Sequence, residues 1–276
     1  MRERVPGAAA VPAGARERLK SVLGRAQPER APDGATLLIY HRVGGGTSDE
    51  LDVTASAFTH QVQMLRDHDV VSLDTALDRL ESGDPTHSVV LTFDDGFEDV
   101  YRNAWPLLRD DGMPFTLYLA TAFMGATMRW EGSTAQGTAG EGLSWRQLAE
   151  MVESGLCTVG NHTHGHVPPE ALTEQELDLC TSHVEQHLGV TPAHFTYPWG
   201  VPVADAEAAL RARFRSASTG VIGRNLPGTD PMRLRRVPVR RTDPDRFFAA
   251  KLHGTLGPER AYAALVRTAK GFGLSG

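Results

Sequence analysis

Ser88-Val-Val-Leu-Thr-Phe-Asp-Asp-Gly96 is the stretch on which the fold class turns. Its first six residues form a nearly unbroken apolar, β-branched run of strand length, the pattern of a strand buried on both faces in a parallel sheet. Asp94 and Asp95 then stand at the C-terminal end of that strand. Successive strand residues point to opposite faces, so neighbouring carboxylates can share one site only where the strand has already turned into a loop. Gly96 permits such a turn. One carboxylate could then bind a metal while the other accepts a proton. Taken alone, Asp-Asp-Gly also fits a plain turn with a capping Asp before a helix near Glu98.

Outward from this stretch, strand and helix patterns alternate. Strands are expected over 37–42, 70–73, 115–120, 157–159, 195–197, 214–218 and 234–239. Helices are expected over 58–68, 75–81, 100–111, 144–154, 204–213 and 244–253, and another is opened by a Thr173/Glu176 capping box and ended by Gly189. Repeated alternation predicts an α/β fold with a parallel sheet, closed or nearly so, and sets Asp94 and Asp95 at the strand ends where barrel enzymes place their chemistry.

A second stretch, His162-Thr-His-Gly-His166, follows the short strand pattern Cys157-Thr-Val-Gly160, and Pro168-Pro169 keeps any helix after it short. His162 and His166 are four apart, a spacing that on one helical turn aims both rings at the same point, with His164 on another azimuth. A lone histidine is ordinarily a half-buried polar residue, but three within five residues read as a site. Two imidazoles and a carboxylate leave coordination positions open, as a catalytic site requires. The parts are those of a metal-dependent hydrolase using a divalent ion, zinc first, with Co2+, Ni2+ or Mn2+ as alternatives.

Read in order, Thr92-Phe-Asp-Asp-Gly96 and the His162, Thr163, His166 pattern resemble the polysaccharide deacetylase family, also called NodB-homology proteins or carbohydrate esterase family 4. The resemblance runs from about Thr36 to about Gly254 and includes Tyr40-His-Arg-Val43, Leu143-Ser-Trp145 and Phe195-Thr-Tyr-Pro-Trp-Gly200. It implies a distorted (β/α) barrel, usually of seven units, and hydrolysis of an N-acetyl amide on an amino sugar to acetate and free amine. By the same resemblance Asp94 is the catalytic base, Asp95, His162 and His166 are the metal ligands, and Trp199 offers a backbone N–H to the oxyanion, with Tyr197 beside it at the substrate. The arginine often found in the family's third motif is missing from Thr196-Tyr-Pro-Trp-Gly200. The likeness of Leu234-Arg-Arg-Val-Pro-Val239 to a later family segment implies Arg236 as the partner of Asp94, although Arg233, Arg235, Arg240 and Arg241 also fit an ordinary basic edge. For the general acid, Leu252-His253 has the family's Leu-His letters, and His41 is the other candidate imidazole.

With 276 residues and 41% hydrophobic content, the chain can bury one large core. A net charge of −6 argues against a broad surface for nucleic acid or anionic lipid. Cys157 and Cys180 read as free core thiols. Residues 1–35, rich in Ala, Pro, Gly and Arg, read as a disordered or short-helical arm, and residues 36–276 as one catalytic domain. Neither a signal-peptide core nor a membrane span is legible, which predicts a cytoplasmic location. Residues 122–142 break the rhythm and read as a substrate loop, with Trp130, Trp145 and Trp199 as possible apolar walls. The partner expected is a small-molecule or oligosaccharide substrate. Three readings follow: a deacetylase of an N-acetylhexosamine unit, a cytoplasmic amidohydrolase tailoring a small acylated metabolite, and an inactive carbohydrate-binding relative.

Overall fold

Seven parallel strands close into a barrel: β1 Ala35–Tyr40, β2 Ser88–Phe93, β3 Phe115–Leu119, β4 Cys157–Asn161, β5 His194–Thr196, β6 Ser216–Ile222 and β7 Leu234–Pro238. The computed structural model describes residues 12–24, 33–130 and 140–271. Each strand pairs with the next in sequence, and β7 returns to β1 through Leu38 opposite Val237. Every position of β1, β2 and β3 is buried, the reason these strands read as apolar runs rather than alternations.

Helices cover the strands, and local chemistry sets their ends. Leu73–Ser82 is capped by the Ser72 side chain and stops at Gly83 in the left-handed conformation. Ala76, Leu77 and Leu80 on its inner face join Leu37, Val90 and Tyr118 in one cluster. The strand expected at 70–73 is absent, and Val70 makes only an isolated bridge to Val89. The helix expected over 100–111 opens instead as a π turn, Val100–Ala104, before Trp105–Asp110. Pro106 has no N–H to donate to residue 102, so an α-turn there would lack its bond. Tyr40 stacks on its neighbour-strand partner Phe93 at 5.1 Å and meets Phe58 of helix Ala55–Leu65 edge-on at 5.4 Å.

The substrate loop expected at 122–142 contains a two-residue ribbon, Thr127–Met128 against Gly140–Glu141, and its centre, 131–139, lies outside the described residues. Gly142 has to be glycine, because a Cβ there would stand 2.1 Å from the Phe123 carbonyl oxygen.

The domain boundary expected at residue 35 is only half of the division found. The barrel unit is Pro32–Arg241, while Met1–Ala31 groups with Thr242–Gly276 in a separate helical unit. There, helix Ala13–Leu23 packs on Asp245–Leu252 and Gly257–Gly271. Lys20, fully buried, is held by Asp243 at 2.7 Å and Thr242 at 2.7 Å, and its ammonium lies 4.6 Å from the Tyr262 ring. A buried ion of this kind is tolerated only when paired, so Lys20 ties the N-terminal helix to Thr242 and Asp243. Among the described residues no helix is long and apolar enough to cross a membrane.

Candidate active site and metal centre

The ends of β2, β4, β5 and β7 meet around a cavity of about 350 Å3 at the C-terminal mouth of the barrel. Asp94 still belongs to the ladder, its N–H donating to the Tyr40 carbonyl at 2.9 Å. Asp95 then adopts φ 75°, and Gly96 φ 94°. That left-handed step, unfavourable for a side-chain-bearing residue by about 1–2 kcal/mol, breaks the strand alternation and lets both carboxylates line one cavity.

Asp94 is gripped by Arg236. Two parallel bonds, Nη1 to Oδ1 at 2.7 Å and Nη2 to Oδ2 at 2.8 Å, fix the carboxylate plane. Arg236 is itself 1% exposed and anchored by Thr92 Oγ1 at 3.2 Å. Burial pushes the Asp94 carboxyl up, but the Arg236 guanidinium, helped by the imidazoles of His162 and His41, holds the group below the usual carboxylate range. The base candidate is therefore ionised, aimed and kept from swinging.

The histidines converge by a route other than the helical turn expected. Residues 162–166 form an irregular loop in which Thr163 and His166 have φ of 66° and 49°. Three tethers hold it. Asn161 Oδ1 accepts the Thr163 N–H at 2.9 Å, the Glu176 carboxylate accepts the Gly165 N–H at 2.7 Å, and the Glu176 carbonyl accepts the His164 N–H at 3.1 Å. The Thr173 cap of helix Glu174–Leu188 forms, but the Glu176 carboxylate is drawn to the histidine loop, so the expected capping box is only half made. His164 faces elsewhere, against Thr121 at 3.0 Å and stacked on His183.

Asp95 Oδ1 lies 3.3 Å from Nε2 of both His162 and His166, is buried, and makes no hydrogen bond. Three ligands each about 2.0–2.1 Å from a tetrahedral zinc stand about 3.3 Å apart, so the spacing fits a shared cation. His162 Nδ1 is 2.8 Å from the Thr196 carbonyl oxygen, which can only accept. The proton is therefore on Nδ1 and the lone pair on Nε2, as a ligand needs. His166 has no such bond, as its buried Nδ1 is unpartnered. Its ring stacks on Trp130, 4.3 Å between centres, and meets Trp199 edge-on at 5.5 Å. Burial lowers the His166 pKa and keeps the ring neutral. Two imidazole nitrogens and a carboxylate oxygen are the donor set of an open divalent site.

Of the remaining candidates, His41, Tyr197 and Trp199 line the same cavity. The His41 Nδ1 is buried without a hydrogen-bond partner. Trp199 is held at φ 62° with 47% of its surface exposed. His253 caps helix Asp245–Leu252 in the helical unit and is not part of the barrel unit that carries the site. Glu176 and Asn161 support the site without a functional signature in the sequence, where Asn161 only precedes His162 and Glu176 fits a helix cap.

A seven-stranded parallel barrel with an arginine-gripped carboxylate beside an Asp-His-His cluster at its mouth defines the class. The chain belongs to the polysaccharide deacetylase family. The family profile matches residues 81–215. IcaB from Ammonifex degensii is 31% identical with a TM-score of 0.68, the match covering 80% of this chain and 97% of that one. The poly-beta-1,6-N-acetyl-D-glucosamine N-deacetylase of Staphylococcus epidermidis is 32% identical over 147 residues, 47% of this chain and 48% of that protein. The Staphylococcus aureus protein of the same name is 30% identical over 164 residues, 54% of each. The chain thus spans about half the length of the curated relatives it matches. A polysaccharide deacetylase of Bacillus cereus, 21% identical with a TM-score of 0.66, shares the fold.

Proposed function

We propose that the protein is a metal-dependent N-deacetylase that hydrolyses the N-acetyl group of an amino sugar within an oligo- or polysaccharide, yielding acetate and a free amine. The observation that carries this reading is the Asp94 carboxylate, gripped at 2.7 and 2.8 Å by a buried Arg236, in one cavity with Asp95, His162 and His166. The names of the relatives support the amino-sugar substrate.

Asp95, His162 and His166 would hold the ion, zinc before cobalt, nickel or manganese. When bound, it supplies positive charge that polarises the amide carbonyl and acidifies water. Asp94 takes the proton from the attacking water, and Arg236 keeps its carboxylate ionised and correctly turned for that transfer. Water oxygen bonds to the carbonyl carbon, and the Trp199 N–H is the chain's own donor for the negative oxygen that results. As the C–N bond breaks, the leaving nitrogen takes a proton from His41, the imidazole of this cavity that is not among the three proposed ligands. Trp130 and Trp199 supply apolar walls.

The test is acetate release from zinc-loaded protein over a panel of N-acetylated monosaccharides and β-linked oligosaccharides. Release that rises with chain length supports the saccharide reading. Release only from monosaccharide-sized compounds favours the tailoring of a small metabolite, and none from any member counts against deacetylation.

A further inference from the structure

Beside the catalytic cavity lies a second, of similar volume at about 350 Å3, and Tyr197 lines both. Gly200 and Gly220 belong to the wall of the first, while their neighbours Pro202, Thr219 and Val221 line the second. The two glycine backbones abut so closely that a Cβ on Gly200 would stand 2.6 Å from the Gly220 Cα. No side chain rises from the divide at these two positions. A saccharide seated over Asp94 can therefore cross it and lay its next unit over the second cavity. Trp199, Val201 and Val221 flank the crossing with 47%, 48% and 51% of their surfaces exposed, an apolar margin suited to the C–H face of a sugar.

The charges in the second cavity are unequal. Arg233 is paired with Glu207 at 2.6 Å, and Glu207 also takes Arg211 at 2.7 Å. The Arg235 guanidinium meets no carboxylate and makes no hydrogen bond among the described residues. Its base is nonetheless fixed. The Asn225 side chain bonds the Arg235 N–H at 2.9 Å and its carbonyl at 2.8 Å, and the side-chain stem lies so close to Gly223 that a Cβ there would be 2.5 Å from Arg235 Cδ. An anchored arginine with an unspent planar fork, next to a substrate cleft in a chain of net charge −6, is suited to recognise an anion.

We propose that the second cavity binds the anionic group, phosphate or carboxylate, of the substrate unit next to the N-acetyl group under attack, and that Arg235 recognises it. This rests on the deacetylase reading for what occupies the first cavity. The test is calorimetric titration of the zinc-loaded full chain, carrying Asp94→Asn so that ligands persist. The ligands are N,N′-diacetylchitobiose, its 1-phosphate, and an N-acetylglucosamine–glucuronate disaccharide. The expected result is that at least one anionic ligand binds about five- to tenfold more tightly than the neutral one, with a preference that shrinks as salt rises. Arg235→Gln abolishes that preference and Arg235→Lys restores part of it. Whether phosphate or carboxylate gains more identifies the source of the charge. Equal affinities, a preference that survives Arg235→Gln, or no binding by any ligand overturns the inference. Acetate release by the unmutated protein from neutral diacetylchitobiose tests the deacetylase reading separately, so that release without any charge preference sinks only the anion site.

Discussion

The two ends of the barrel each set a carboxylate 3.3 Å from histidine, and they use it differently. Near the starts of β5 and β6, His194 lies between Ser216 Oγ at 2.9 Å and the Asp74 carboxylate at 3.3 Å, and Asp74 also receives Arg215 at 2.6 Å. Asp74 is half exposed and its charge is already balanced by protein. At the mouth, Asp95 is buried, faces two imidazoles with no hydrogen bond, and has no arginine. The backbone makes the same contrast. Among the described residues, the non-glycine residues with positive φ are Asp95, Thr163, His166 and Trp199, all at or beside the mouth. Left-handed backbone at side-chain-bearing residues is thus gathered at the mouth among the described residues, while at the floor the Asp74 charge is balanced by Arg215.

The largest effect is expected at Asp94. Asn at this position keeps the shape and the metal ligands but cannot take a proton, so acetate release should fall by about 10^3-fold or more while zinc content per chain stays that of the unmutated protein. Loss of zinc together with activity would put Asp94 among the ligands instead. Arg236→Met should lower stability to chemical denaturation by about 3–5 kcal/mol, because Asp94 is left as a buried, unpaired charge. Adding Asp94→Asn to that variant should recover much of the loss, and failure to recover would mean that packing of the arginine, not its charge, was lost.

Smaller effects sharpen the contrast. Glu176→Gln weakens the acceptor that holds the Gly165 N–H, and Trp130→Ala removes the face on which His166 rests. Each should loosen zinc by about tenfold in a chelator competition, as outer partners of ligands do elsewhere. An unchanged affinity would show that the loop holds its shape without them. The smallest effect belongs to the floor. The Asp74 carboxyl is lowered from 3.8 to about 2, first by the His194 imidazole beside it, with Arg215 adding to it and burial opposing. A depressed carboxyl stabilises the fold fully above its unfolded pKa, and that contribution is lost as pH falls through the folded one. Acid unfolding of the unmutated protein should therefore steepen between pH 3.8 and about 2 relative to Asp74→Asn, and coincident profiles would show that solvent screens the pair.

Much of the barrel was legible because buried parallel strands announce themselves as apolar runs, and the ends of β2 and β4 carried side chains of obvious chemistry. What escaped depended on long-range geometry. The helical-turn expectation for His162 and His166 assumed an ordinary backbone, whereas left-handed residues at 163 and 166, held by Asn161 and Glu176, bring the rings together. Glu176 looked like a helix cap because capping is local and its real partner lies eleven residues away. The Lys20–Asp243 contact, spanning 223 positions, left no pattern at all, so the grouping of the N-terminal helix with the C-terminal residues was invisible. Arg236 stands among five arginines that spacing cannot separate; only the family likeness of its segment points to it, and the fold sets it against Asp94.

The central claim is that Asp95, His162 and His166 share one cation. Crystals grown with equimolar zinc and measured on both sides of the zinc absorption edge test it directly. The expected result is a single anomalous peak about 2.0–2.2 Å from Asp95 Oδ1 and from Nε2 of both histidines. A peak bound elsewhere, or none in a protein whose three side chains keep their present spacing, would contradict it.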